Sequence, residues 1–226
     1  MPKHGQRYAA NAAKVEKRNY ALDEAMNLLK TLASAGFDET VEIHLRLGID
    51  TKQGDQQVRG TVVLPHGIGK IKRLAVFADG EAELKAKEAG ADIVGGKELI
   101  EKISQTGKIE FDVAIATPEM MRELAKIAKI LGPKGLMPSP KNETVTTNVA
   151  KAIQELKAGK IAFKNDANGN IHQAVGKISF SPEHITANIN AFLEALKRAK
   201  PASAKGTFLA SATLTTTMGP GVRISL

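Results

Sequence analysis

The sequence predicts an α+β protein in which both ends of the chain form one domain, an antiparallel sheet with helices. The middle of the chain forms an inserted α/β Rossmann-like domain with a parallel sheet. Residues 40–47 alternate apolar and polar side chains, as a strand with one solvated face does. Residues 74–78 are a continuous apolar run, typical of a strand buried on both faces. After residue 160 the alternating pattern returns, so the two ends resemble each other more than the middle.

The first end of the chain begins with a basic segment. Residues 1–19 carry five basic side chains, Lys3 among them, against one acid. We interpret the segment as a solvated tail that would add sequence-independent affinity beside a phosphate backbone. Apolar residues at helical spacing then predict a helix from residue 22 that ends at Gly36. The strand 40–47 places His44 on its wet face, where we interpret it as a surface residue.

A second strand, 58–64, and a linker, 65–69, lead into the middle of the chain. There, strands at 74–78, 91–94 and 111–116 alternate with helices at 81–89 and 97–103. Thr117 is predicted to cap a helix that runs through residue 130. Residues 144–146 are a candidate fourth strand, and a last helix, 149–158, stops at Gly159. Strands that alternate with helices predict a parallel sheet.

The second end of the chain is predicted to begin with a hairpin. Strands 161–164 and 171–180 would be joined by an Asn168-Gly169 turn. Ser181 is predicted to cap the following helix, and 208–217 form a final strand. Three consecutive threonines favour extended backbone, and the Gly-Pro-Gly at 219–221 turns it sharply. Residues 215–221 are therefore predicted to be an edge strand and turn whose exposed edge contacts a polar partner.

The predicted domain boundaries and the distribution of charge together indicate which domain binds a polyanion. We place a discontinuous domain at 1–69 and 160–226 and an inserted domain at 70–159. The chain has a net charge of +8, of which the ends hold +6 and the insert +2. The two-ended domain is therefore expected to meet the polyanion.

Composition and motif searches exclude several classes of protein. The 226 residues contain no Cys, and the five His are scattered without metal-ligand spacing, so we expect no metal and no thiolate chemistry. No window approaches eighteen consecutive apolar residues, so we expect a cytoplasmic protein without a membrane span. Phosphate-loop, dinucleotide and nucleophile-elbow motifs are absent, so we expect no cofactor. With 4% aromatic residues and no Trp, recognition of nucleic acid by extensive base stacking is excluded.

One glycine-rich loop keeps an alternative open. The loop from Gly132 to Gly135 follows a helix and could hold an anion through Lys134 and exposed amides. The alternative function is a nucleotide-binding enzyme or sensor that uses this loop.

Several motifs closely resemble one family over nearly the whole chain. They are residues 130–138 (ILGPKGLMP), 37–42 (FDETVE), 58–61 (VRGT) with 64–67 (LPHG), and 215–220 (TTTMGP). All of them resemble the bacterial ribosomal protein L-one family of the large-subunit mobile stalk, beside the tRNA exit site. The family's fold, a two-ended RNA-binding domain with an inserted Rossmann-like domain, agrees with the organisation predicted above.

The resemblance implies a non-enzymatic protein with RNA partners. Its expected partners are the ribosome, the stalk region of large-subunit rRNA, exit-site tRNA that is released after deacylation, and the mRNA of its own operon, whose translation it represses. It is expected to be a monomer away from the ribosome. Gly36 departs from the basic residue found in many relatives, so a phosphate contact from that position is lost.

The resemblance also implies a set of RNA-contacting residues around the first strand, the predicted hairpin and the end of the chain. They are Phe37, Thr40, Glu42, Lys164, Asp166, His172, Ser211, Thr217, Met218 and Gly219. Hydroxyls can meet 2′-OH groups, and Phe37 offers a flat apolar face. The two acids are unusual on a surface that meets a polyanion, unless they accept hydrogen bonds that specify the RNA more than they attract it.

Overall fold

The computed structural model describes residues 5–225. The contacts divide the chain into two compact units, one built from the residues up to Gly69 with those from Ile161 onward, the other from Lys70–Lys160. The described helices are α1 (Gln6–Ala12), α2 (Leu22–Leu32), α3 (Glu81–Glu88), α4 (Lys97–Thr106), α5 (Met121–Leu124), α6 (Ala128–Leu131), α7 (Val149–Lys157) and α8 (Pro182–Arg198). The described strands are β1 (Thr40–Leu47), β2 (Arg59–Val63), β3 (Leu74–Phe77), β4 (Ile93–Gly95), β5 (Val113–Ala116), β6 (Lys160–Lys164), β7 (Asn170–Lys177), β8 (Leu209–Thr216) and β9 (Val222–Ile224).

The first unit is built on a four-stranded antiparallel sheet with the order β7-β1-β8-β9. In β1 the apolar residues alternate with polar ones, and the apolar set is fully buried. Helices α2 and α8 pack on that side, where Met26, Leu29 and Phe192 join the strand residues in one core. The opposite side of β1 stays polar, because successive side chains of a strand point to opposite faces.

Helix α8 begins where the sequence predicts. The side chain of Ser181 accepts a hydrogen bond from the backbone N–H of His184, 3.3 Å away, and Pro182 occupies the first turn. The buried Asn188 of the same helix donates to the carbonyls of Gly67 and Val175, at 2.8 Å each. A buried amide with several partners fixes the helix against β7 and the 65–69 segment.

The second unit contains a three-stranded parallel sheet with the order β4-β3-β5. All four residues of β3 are buried, as expected for the central strand of such a sheet. Two apolar cores lie on its two faces, one formed with α4, α5 and α6 and the other with α3 and α7. The unit therefore has helices and a parallel sheet, as the sequence predicts.

Two predictions for this unit are wrong. Residues 117–130 do not form one helix, since α5 and α6 are separated by a 3₁₀ turn at Ala125–Ile127, and Thr117 lies in a turn before α5. Apolar residues at spacings of three and four fit either arrangement, so periodicity does not reveal the tightened turn. Residues 144–146 contribute only an isolated bridge between Val145 and Ala116 and no strand.

The predicted hairpin at 161–180 is also wrong. β6 pairs with β2 in a separate two-stranded sheet, whereas β7 pairs with β1. The cause lies at Asn165, whose side-chain oxygen accepts the buried N–H of Val58 at 2.8 Å and whose own N–H donates to the Val58 carbonyl at 3.1 Å. These bonds direct β6 toward β2, and the turn at residues 166–169 then reverses the chain into β7.

The final strand predicted at 208–217 is β8, and part of its free edge is covered. The turn at Gly219–Gly221 brings the chain back as β9, which pairs with residues 212–214 of β8 and covers that edge. Thr215 and Thr216 lie beyond this pairing and have no partner in β9, so residues 215–221 form a strand end with one unpaired side followed by a turn, as predicted. Their contact with a polar partner stays a prediction, and β9 itself is absent from the elements that the sequence predicts.

The described part of the basic N-terminal segment packs against the rest of its unit and is not wholly a solvated tail. It contains α1, whose buried Asn11 donates to the carbonyl of Leu32 at 2.8 Å, whereas Lys3 lies outside the described residues. Within residues 5–225, no helix combines the length and the hydrophobicity that crossing a membrane requires.

Candidate nucleic-acid interface

The solvated side of the four-stranded sheet forms a continuous polar surface, which we call the open face. The strand registers place the members of the open face opposite one another: Thr40, Glu42, His44 and Arg46 of β1, Asn170 and His172 of β7, Ser211, Thr213 and Thr215 of β8, and Arg223 of β9. Hydroxyls, imidazoles and amides outnumber the fixed charges on it. Such a surface can hydrogen-bond a structured polar ligand at many points.

A hydrogen-bonded histidine pair occupies the centre of the open face. His44 and His172 lie opposite each other in the sheet, with their Nδ1 atoms 2.8 Å apart. The other nitrogen of His44, Nε2, lies 2.9 Å from the hydroxyl of Thr215 and 3.8 Å from the carboxylate of Glu42. Burial lowers the pKa of His44, the neighbouring imidazole lowers it further, and Glu42 partly offsets both effects.

At one end of the open face, hydrogen bonds join β1 to β7 and to Thr217, the residue that follows β8. The hydroxyl oxygen of Thr217 accepts the backbone N–H of Thr40 at 3.0 Å. Lys177 donates to the Thr40 hydroxyl at 2.9 Å and to the Asp38 carbonyl at 3.2 Å. Thr217 therefore has a partner inside the protein, in addition to any ligand that it meets.

The buried carboxylate of Glu39 holds two loops together at this end. One oxygen accepts the backbone N–H groups of Ser34 and Ala35, at 3.2 and 3.1 Å, and the other accepts the N–H of Met218 at 3.0 Å. Burial works to raise the pKa of Glu39, but the hydrogen bond from Met218, together with contributions from the Thr216 side chain and the two other amides, holds it below its ordinary value. Glu39 is 1% exposed, so its carboxylate holds the two loops together and is not accessible to a ligand.

The two loops that Glu39 joins present exposed apolar side chains. Phe37 is 54% exposed and Met218 is 49% exposed, and both flank the same end of the sheet. Gly219 follows Met218 in a crowded position, since a Cβ atom there would lie 2.3 Å from the hydroxyl oxygen of the buried Thr216. The crowding is internal, so this glycine is needed by the protein's own packing.

Asp166 adjoins the open face, whereas Lys164 lies in the other sheet of the unit. The Asp166 carboxylate accepts the backbone N–H groups of Asn168 and Asn170, at 2.8 and 2.7 Å, and these bonds hold its turn closed. Its pKa is lowered chiefly by the bond from Asn170. The second carboxylate oxygen lies 3.8 Å from Nε2 of His172, so the turn adjoins the open face. Lys164 is exposed at the end of β6, in the two-stranded sheet.

Sequence comparison supplies the family. Residues 28–220, most of the chain, match the profile of the Ribosomal protein L1p/L10e family. The chain belongs to the ribosomal protein L1p/L10e family.

Relatives of this family align along almost their full length. The chain is 54% identical over 227 residues to a large ribosomal subunit protein uL1 of Thermus thermophilus, which covers 100% of this chain and 99% of the relative. It is 51% identical over 222 residues to the protein of the same name from Solibacter usitatus, with 98% and 94% covered. As a member of the L1p/L10e family, the chain is a structural ribosomal protein of the cytoplasmic ribosome and not an enzyme.

The enzyme alternative is therefore wrong, and the geometry of its loop agrees. The backbone N–H groups of Gly132, Gly135 and Leu136 donate to carbonyls of the same segment, at 2.8, 3.0 and 3.1 Å. These amides are already used to end α6, and a nucleotide phosphate would need them free. In the part of the chain that the structure describes, no cluster of three or more His, Asp or Glu side chains is arranged to hold a metal ion.

Most of the residues predicted to contact RNA in this L1p/L10e chain lie on the open face or beside it. Thr40, Glu42, His172 and Ser211 lie on the open face, with Thr217 at its end. Phe37, Met218 and Gly219 lie in the two loops that flank it, Asp166 adjoins it, and Lys164 stands apart in the second sheet. Their contact with RNA stays a prediction.

Sequence reasoning missed three residues of this region. Alternation places His44 beside Glu42, but its partner His172 becomes a neighbour only through strand pairing. Thr215 is predicted only as a strand residue, although its hydroxyl contacts His44. Glu39 carries no local signal of its role, because its burial arises only when the chain folds.

Proposed function

We propose that the open face and its two flanking loops bind the stalk region of large-subunit rRNA. The observation that carries the proposal is the chemistry of the surface: rows of hydroxyls and imidazoles on one side of the sheet, with exposed Phe37 and Met218 at one end. Structured RNA offers 2′-hydroxyls and phosphates to such a face, and an unstacked base can rest on an apolar side chain. The excess of positive charge on the two ends of the chain supports the same partner.

The proposal has an architectural part. The unit made from both chain ends acts as the RNA-binding domain, and the unit from residue 70 onward is a Rossmann-like insert. Supporting this, the insert has a parallel sheet with helices on both faces, and the open face draws its described residues from the first unit alone.

Two further roles follow from the resemblance to the family. On the ribosome the protein assists the release of deacylated tRNA from the exit site, and away from it the protein represses its own operon by binding a similar structure on the mRNA. If one face serves both RNAs, the rRNA and mRNA fragments must exclude each other. We therefore expect an excess of unlabelled stalk rRNA fragment to displace a labelled operon mRNA fragment completely, and a ternary complex would contradict the use of a single face.

The decisive experiment compares two substitutions at Thr217. Thr217→Val removes the hydroxyl from the end of the face and leaves the N–H of Thr40 without its acceptor, whereas Thr217→Ser keeps the oxygen. We expect Thr217→Val to weaken binding of the stalk rRNA fragment by about 1 to 3 kcal/mol, and Thr217→Ser to weaken it by less than about 0.5 kcal/mol. Calorimetric titration at fixed salt measures both, and thermal melts establish that each variant is folded.

A salt titration tests the nature of the partner. The logarithm of the binding constant should fall linearly with the logarithm of the salt concentration, because basic side chains release counterions from the RNA. Equal affinity of the valine and wild-type proteins, with folding intact, would contradict the site. A salt-independent binding constant would contradict contact with the phosphate backbone.

A further inference from the structure

The histidine pair at the centre of the open face can hold one extra proton without rearrangement. A separation of 2.8 Å between two Nδ1 atoms requires one donor and one acceptor. With the hydrogen on Nδ1 of His44, the His172 ring carries its own hydrogen on Nε2, which faces the Asp166 carboxylate at 3.8 Å. His44 Nε2 is then an acceptor for the hydroxyl of Thr215.

The extra proton has one favoured position. His44 Nε2 lies between the Thr215 hydroxyl, at 2.9 Å, and the Glu42 carboxylate, at 3.8 Å. A proton added there leaves the Nδ1–Nδ1 hydrogen bond intact, because the hydroxyl rotates to accept. A second proton would place two N–H groups against each other, so the pair takes up one proton and no more.

The pair lies among charged groups of both signs. On β1 the neighbours are Glu42 and Arg46, from the 166–169 turn it is Asp166, and on β9 Arg223 lies opposite Thr213. The open-face residues of β8 bear only hydroxyls. The His44 side chain is 29% exposed, against 55% for His172, so desolvation opposes its charge until a negative ligand covers it.

We propose that the His44–His172 pair takes up one proton from solvent when RNA binds, and that the resulting imidazolium neutralises Glu42 at the centre of the open face. The inference rests on the proposed function and adds a proton to the bound state. Proton uptake explains how the Glu42 carboxylate can lie on a surface that binds phosphates, because Glu42 and protonated His44 together have no net charge. Proton binding and RNA binding are thermodynamically linked. A group that binds its proton more tightly in the complex therefore makes the affinity for RNA rise as pH falls.

The test uses the full-length protein and the stalk rRNA fragment as the probe. Calorimetric titrations at pH 7, in phosphate and in Tris at equal ionic strength, give the number of protons taken up from the difference in buffer ionisation heats. We expect roughly 0.3 to 1 proton per complex, and an affinity about five- to tenfold higher at pH 6 than at pH 8. His44→Gln should abolish the uptake and flatten the pH profile, because it removes the nitrogen that receives the proton.

The other histidine pair of the chain provides a matched control. His66 and His184 stack with ring centroids 3.8 Å apart, and neither lies on the open face. The double variant His66→Gln/His184→Gln should keep the full proton uptake. Loss of uptake in this control, or its survival in His44→Gln, would overturn the assignment, because the proton would then belong to another group of the protein or to an RNA base.

The outcomes separate this inference from the proposed function. RNA binding without proton uptake overturns the inference alone, whereas no binding at any pH overturns the proposed function and the inference with it. If a glutamine variant does not fold, NMR titration of the imidazole protons in the wild-type protein decides. An upward shift of the His44 pKa on binding is expected, and an unchanged pKa overturns the proposal.

Discussion

Replacing the buried Glu39 with glutamine tests how the two flanking loops are held. The carboxylate accepts three backbone N–H groups, two at one oxygen and one at the other. A glutamine side chain has one oxygen, so its NH2 group must face either the Met218 N–H or the pair from Ser34 and Ala35. A hydrogen bond to a charged group contributes about 1.5 to 3 kcal/mol, and an unpaired buried donor costs about 1 to 3 kcal/mol.

We therefore expect Glu39→Gln to lower the free energy of unfolding of the first unit by about 3 kcal/mol. Tyrosine fluorescence during urea denaturation reports on this unit selectively, because the sequence has no Trp and both tyrosines, Tyr8 and Tyr20, belong to it. The matched control is Asp38→Asn. Asp38 is exposed, and its carboxylate accepts the backbone N–H and the hydroxyl of Ser179, so its replacement should cost less than about 1 kcal/mol.

The pH dependence gives a second, independent check. The pKa of Glu39 is depressed in the folded protein, so its contribution is fully present above the ordinary glutamate pKa of about 4.3 and is lost as pH falls through the folded value. The stability difference between wild type and Glu39→Gln should be constant from pH 8 to about pH 5 and narrow below about pH 4. Equal stability of Glu39→Gln and Asp38→Asn at pH 7, or a difference that persists unchanged in acid, would refute the reasoning.

Three further predictions concern packing, capping and architecture. Gly219→Ala should destabilise the first unit by about 1 to 3 kcal/mol in urea melts, because the new Cβ meets the Thr216 hydroxyl, whereas Gly36→Ala, with nothing within 4 Å, should be neutral or slightly stabilising. Ser181→Ala should cost about 1 kcal/mol through loss of the helix cap, and equal melting of the variant and wild type would count against that cap. Deleting 70–159 and joining the ends with a short linker should leave a folded unit that still binds the stalk rRNA fragment. An unfolded or inactive product would show that the insert contributes to the site.

Local patterns predict the elements of this chain better than their pairing. The alternation at 40–47 gives β1 with the observed bounds, and Ser181 gives the start of α8, because both signals lie within a few residues. Pairing depends on distant residues instead. The bond that Val58 donates to the Asn165 side chain aligns β6 with β2, and the short β9 pairs with residues 212–214 of β8.

The same distinction applies to the candidate site. The residues that resemblance assigns gather at the open face, with the exception of Lys164. The contacts that organise the face were not predictable, because they join positions that are far apart in the chain. His44 meets His172, and Glu39 meets Met218, only after the sheet has formed. A buried acid and a turn acid also look alike in sequence, since burial is a property of the fold.

The split of the first unit between the two chain ends sets an order of events during synthesis. β1 is flanked by β7 and β8, so when it leaves the ribosome neither neighbour exists, and everything from residue 48 to residue 169 must follow before pairing can begin. The inserted unit is continuous in the chain and can complete its own sheet during that interval, since domains fold as units while they are made. The open face comes into existence only when β8 and β9 arrive, close to the end of translation. A growing copy of this protein therefore lacks the proposed RNA-binding surface until nearly all of the chain has been made.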